Sequence, residues 1–131
     1  MKKILLPLVA LAFATPAAAQ SIVVTGAEEN DSAPLSVAYE ELKAGQNAMA
    51  VDKLTHSSLD RDDPSRLINL GTAYARLGQT ADAQTAYKAA ITSDIRYDVE
   101  LANGTYMDSR WAARTALANL NQGKPLLALA R

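Results

Sequence analysis

The 131-residue chain contains no cysteine and a single histidine. The missing thiols exclude a disulfide framework, a Cys-ligated zinc site, thiol catalysis and the acylated cysteine of a bacterial lipoprotein. One histidine, His56, cannot build a metal triad, and no Gly-x-Ser-x-Gly turn is present to offer it a nucleophilic serine. A small hydrolase is therefore the weakest functional class for this sequence. Its neighbours Thr55, Ser57 and Ser58 point instead to an exposed or helix-capping imidazole.

Glycine-rich phosphate cradles and basic blocks are also absent. Lys43, Lys53, Arg61, Arg66, Arg76 and Lys88 are scattered among acids and read as a mixed, solvated surface. Asp60, Asp62 and Asp63 suggest a calcium loop only superficially, because the sixth and twelfth places counted from Asp60 hold Ser65 and Gly71 rather than glycine and glutamate. These acids fit an inter-helix turn, with Asp63 as a helix cap. No cofactor or metal is implied.

There is no apolar run of the ~20 residues that a membrane span needs. The nearest is Ile4–Phe13, preceded by Lys2 and Lys3 and followed by the small residues Ala17-Ala18-Ala19. That order reads as a secretory signal over residues 1–19, with Gln20 as the mature start and a periplasmic or secreted destination. Its removal takes two lysines and no acid, leaving 11 basic against 14 acidic residues and a charge of −3. Mild acidity argues against nucleic acid or an anionic membrane as partner.

The mature part reads as a mostly α domain. Residues 20–33 are a polar leader. A first helix is expected from Ser32 and Pro34 to Ala44, ending at Gly45, and a second from Asn47 to about Ser58. Asp63-Pro64 opens a third, to Leu77 and Gly78, and Thr80 is the expected cap of a fourth, to Thr92. Gly45 and Gly78 lie 33 residues apart, so the helix–glycine–helix pattern is a repeat. Alternating Tyr97, Val99 and Leu101 followed by Asn103-Gly104 predict a β-hairpin over 96–107 with a two-residue turn, Leu101 facing Tyr106. A last helix, within 109–122, capped by Asp108 or Ser109 and ended by Gly123 and Pro125, should turn Trp111, Leu117 and Leu120 toward the preceding hairpins, leaving 124–131 as a tail.

Residues 64–92, PSRLINLGTAYARLGQTADAQTAYKAAIT, carry Leu67-x-x-Leu70-Gly71-x-x-Tyr74 in the first helix and Ala83-x-x-x-Tyr87-x-x-Ala90 in the second. This stretch resembles a tetratricopeptide repeat. Leu67 stands where that family usually has tryptophan, and Ile95 where it often has proline. Residues 34–59 look like a degenerate copy, matching at Gly45, Ala50 and Leu54 but with Val37-Ala38 in place of the Leu-Gly pair. The resemblance implies two helical hairpins; the β-hairpin and the C-terminal helix, read as a cap, lie outside it.

It also implies a groove lined by first helices, with Ile68, Asn69, Thr72 and Arg76 as the binding positions of the clear repeat. Ile68 and Thr72 replace the lysine and asparagine used by relatives that grip peptide carboxylates. Asn69 would then bond a peptide backbone, Arg76 an acid and Ile68 an apolar contact. The expected function is a protein- or peptide-binding scaffold, in which the 96–107 hairpin offers an edge strand. The competing expectation is a repeat-mediated homodimer.

Overall fold

The computed structural model describes residues 37–124. The expected signal, leader, Ser32–Pro34 helix start and C-terminal tail lie outside that range. Five helices and one hairpin follow in order: α1 Tyr39–Lys43, α2 Asn47–Thr55, α3 Pro64–Arg76, α4 Thr80–Thr92, β1 Asp98–Glu100, β2 Tyr106–Asp108 and α5 Ser109–Asn121. The protein is mostly helical with a small antiparallel sheet and a C-terminal helix.

The helix ends are chemically specified. Asp63 caps α3, its carboxylate accepting the Arg66 amide at 2.9 Å, and Asp108 caps α5 through the Trp111 amide at 3.1 Å. At the other end, α1, α3 and α5 close alike: Gln46 N bonds Glu41 O at 2.8 Å, Gln79 N bonds Tyr74 O at 2.9 Å, and Lys124 N bonds Asn119 O at 3.1 Å. This 6→1 closure needs a left-handed residue before the donor, and Gly45, Gly78 and Gly123 supply it at φ 74°, 76° and 59°. Gln79 rather than Thr80 occupies the N-cap of α4, and it caps with no side-chain bond; Thr80 is the first helical residue.

α3 is the central element. Its first ten residues, Pro64–Ala73, are all buried, because it packs between α2 on one side and α4 and α5 on the other. One apolar cluster joins Leu67 and Ile68 to Ala83, Tyr87 and Ala90 of α4, Val99 and Leu101 of the hairpin, and Ala112, Ala113 and Ala116 of α5. A second joins Leu70 and Ala73 to Ala38, Leu42, Ala50 and Leu54. The closest approach is at Gly71, where a Cβ would lie 2.7 Å from the Tyr87 ring. Only a residue without a side chain lets the α3–α4 pair close on that aromatic.

Further expectations are corrected. The first helix is shorter at its described end: Val37 and Ala38 are not helical, and Ala38 sits at φ 56°. That left-handed conformation breaks the helix that the sequence pattern extends through 35–44. α2 stops at Thr55, with His56 as its C-cap, three residues before Ser58.

The hairpin is real, but its register differs by one residue. Val99 faces Met107 and Glu100 faces Tyr106, and Leu101 N bonds Thr105 O at 2.8 Å. The loop is Ala102-Asn103-Gly104, a turn closed by Gly104 N to Leu101 O at 2.8 Å, with Gly104 at φ 79°. Asn103 keeps negative φ, and its Oδ1 accepts both Thr105 N and Thr105 Oγ1. That side-chain bond favours a three-residue bulged loop over the two-residue turn. The shift places Met107 on the core face with Val99 and Leu101, and leaves Tyr106 exposed. Trp111 also faces outward, 59% exposed; the inward face of α5 is Ser109, Ala112, Ala113 and Ala116, flanked by Leu117 and Leu120.

Candidate functional site

The four binding residues expected from the repeat pattern all lie on α3, but they do not line an open groove. Ile68, Asn69 and Thr72 are fully buried, and Arg76 is half-buried. Ile68 belongs to the core cluster with α4 and α5. The Thr72 hydroxyl shares a 3.0 Å hydrogen bond with the Tyr87 hydroxyl. Neither presents itself to a ligand. The expectation carried positions from a long array, whereas here α5 and the chain ahead of α2 pack on the same helix.

Asn69 and Arg76 are different. Asn69 Nδ2 donates to the Val37 carbonyl at 2.7 Å, and Arg76 Nη1 donates to the Leu42 carbonyl at 2.6 Å. Both therefore hold main-chain carbonyls, contacts that do not depend on which side chains the held residues carry. The occupant is the chain's own segment 37–44. Ala38 and Leu42 fill the apolar side of this seat against Leu70, Ala73, Ala50 and Leu54, and Val37 is buried at its start. At its rim, Lys53 donates to Glu41 at 2.7 Å. That hydrogen bond holds the Glu41 carboxyl below its ordinary pKa, more strongly than the opposing desolvation. Burial lowers the Arg76 pKa, opposed by the Tyr87 hydroxyl.

The two arginines of α3, Arg66 buried and Arg76 half-buried, act alike. Arg66 Nε donates to Leu54 O at 2.8 Å and its Nη1 to Arg61 O at 3.0 Å, closing the C-terminal end of α2. Arg76 does the same for α1 through Leu42 O. A cation at a helix C-terminus meets both the orphan carbonyls and the negative end of the dipole. Arg66 and Arg76 thus leave the solvated surface to which their spacing among acids assigned them.

The other candidates are structural in their contacts. His56 is exposed, with Nδ1 2.9 Å from Asp52 O at the end of α2 and 3.3 Å from Asp52 Oδ1. Asp60 Oδ1 accepts Asp62 N, while Asp63 spends one oxygen on capping and the other on the Tyr97 hydroxyl at 2.9 Å. Ser65 Oγ lies 2.7 Å from that hydroxyl, so Tyr97 ties the start of α3 to the segment after α4. Burial pushes the Tyr97 pKa up to about 12. No helix of the described residues is long and apolar enough to cross a membrane.

Sequence reasoning missed Val37, Ala38 and Leu42 as ligands of α3. The available signal was the Val37-Ala38 pair standing where the second repeat has Leu70-Gly71, which marks the first helix as different. No family model, curated protein or solved structure matches the chain.

Proposed function

We propose that this is an exported, non-catalytic helical-repeat module of tetratricopeptide type that binds a protein or peptide partner. The observation that carries the reading is the use of Asn69 and Arg76, side chains of the central helix, to hold main-chain carbonyls of a short segment laid across it. Export follows from the Lys2-Lys3, Ile4–Phe13, Ala17–Ala19 pattern. The module collects its partner in the periplasm or outside the cell and needs no cofactor.

Capture from a periplasmic extract tests this, with the native mature chain and Arg76→Ala as baits of matched thermal stability. A partner retained by the native chain and depleted on the variant is expected. Equal recovery on both would remove Arg76 from the docking surface.

A homodimer is the second reading. Tyr106 and Trp111, 65% and 59% exposed, give the hairpin and α5 aromatic surface suited to a second copy. Light scattering across a concentration series separates the two, since a strict monomer excludes self-association.

A further inference from the structure

We propose that the seat of α1 on α3 is a peptide-binding site occupied in cis, and that a partner segment of matching chemistry replaces residues 37–44 in trans. The proposal rests on the interaction-module reading and specifies the ligand of that module.

The cis occupant defines what the site accepts. It offers one carbonyl to Asn69 and, five residues on, another to Arg76. Between them it places a residue at the fully buried Ala38 position and an acid against Lys53, and the second carbonyl belongs to the buried Leu42. The partner is accordingly a short segment with a small residue, an acid three residues later and a leucine immediately after it. Charge complementarity fixes its direction, because Lys53 selects the acid and Arg76 the carbonyl at the far end.

The occupant is poorly suited to permanence. Its helix has five residues, far below the ~12–15 at which an isolated helix becomes marginal in water. Ala38 is the one described non-glycine residue at positive φ. An L-residue in that conformation carries a steric penalty that glycine avoids. A partner with glycine at this position therefore starts with an advantage over the chain's own segment. What keeps the segment in place is attachment, which gives an effective concentration on the order of millimolar.

The test uses the full mature chain. Native-state hydrogen exchange should show the amides of Leu42, Ala44 and Gln46 opening at least 100-fold more often than those in the middle of α3. Ala38→Gly in the chain should slow that opening. Fluorescence anisotropy then follows a labelled peptide of residues 37–46. Its affinity for a Leu42→Asp chain, whose segment is expelled, should exceed that for the native chain at least tenfold. The Ala38→Gly peptide should bind about five- to thirtyfold tighter, and a Leu42→Ala peptide much more weakly.

Exchange of the segment only by global unfolding would overturn the proposal. So would the absence of saturable peptide binding to a Leu42→Asp chain that still melts cooperatively. If Leu42→Asp does not fold, the exchange data on the native and Ala38→Gly chains decide alone. Peptide binding without any captured partner would sustain the site and refute the wider function, so the two failures are distinguishable.

Discussion

Gly71→Ala is the most informative single substitution in the core. An added Cβ would stand 2.7 Å from both Cδ1 and Cε1 of Tyr87 and 3.1 Å from Cζ, against an ordinary carbon–carbon contact of about 3.5–4.0 Å. The ring cannot swing aside, because Tyr87 is fully buried and its hydroxyl is bonded to Thr72 at 3.0 Å. Relief requires α3 and α4 to separate or that hydrogen bond to break. Overpacking of this kind costs about 1–3 kcal/mol, and the strained hydrogen bond about 1 kcal/mol more. Replacing a mid-helix glycine by alanine returns about 1 kcal/mol of helix propensity. The balance is a loss of about 1–3 kcal/mol, or a fall in Tm of roughly 4–8 °C per kcal/mol in a domain of this size. Urea denaturation of four chains measures it: native, Gly71→Ala, Tyr87→Leu and the double variant. The leucine removes the ring, so Gly71→Ala should become neutral or stabilising in that background, with a coupling above about 1 kcal/mol. A stabilising Gly71→Ala in the native background would refute the close-approach argument.

Arg66→Ala should destabilise by about 2–3 kcal/mol, since it strips charge-assisted bonds from the buried Leu54 carbonyl and the partly buried Arg61 carbonyl; Arg66→Lys should recover only part of this in the same denaturation assay. Burial raises the pKa of Tyr87 to about 12, and that of Tyr97 likewise. Because the folded values exceed the unfolded value near 10, the associated stability is whole below pH ~10 and disappears as pH rises through about 12. Tyr87→Phe and Tyr97→Phe should each flatten the alkaline limb of a Tm-versus-pH curve, at the expense of a lower Tm at neutral pH. Gly104→Ala should cost about 1–2 kcal/mol from its positive φ alone, because nothing lies within 4 Å of the added Cβ; a chemical melt reads this directly.

How far the sequence carried the fold depends on where the determining interaction lies. Helix limits set by local chemistry were legible: Asp63 and Asp108 cap through amides three residues on, and the Gly45, Gly78 and Gly123 turns close on carbonyls five residues back. Gly71 and Tyr87 were both singled out by their spacing, but the contact between them came only with the structure. Part of what failed depends on contacts distant in the chain. Asn69 reaches Val37 and Arg76 reaches Leu42 across more than thirty residues, and neither pairing leaves a local mark. The hairpin register turned on a side chain: Asn103 binding Thr105 favours a three-residue loop over the Asn-Gly turn that composition suggests. Trp111 was placed inward by its size, yet the narrow space between α4 and α5 admits Ala112, Ala113 and Ala116 instead.

The central claim is that partners dock where α1 lies on α3, and site-specific photo-crosslinking in living cells tests it most directly. The crosslinking residue is installed at exposed Leu77, next to Arg76 at the end of α3, and in a separate chain at exposed Lys88 on α4. A protein adduct from position 77, absent from position 88 and reduced by Arg76→Ala, is the predicted result. Adducts of equal yield from both positions, or none from position 77, would contradict the account.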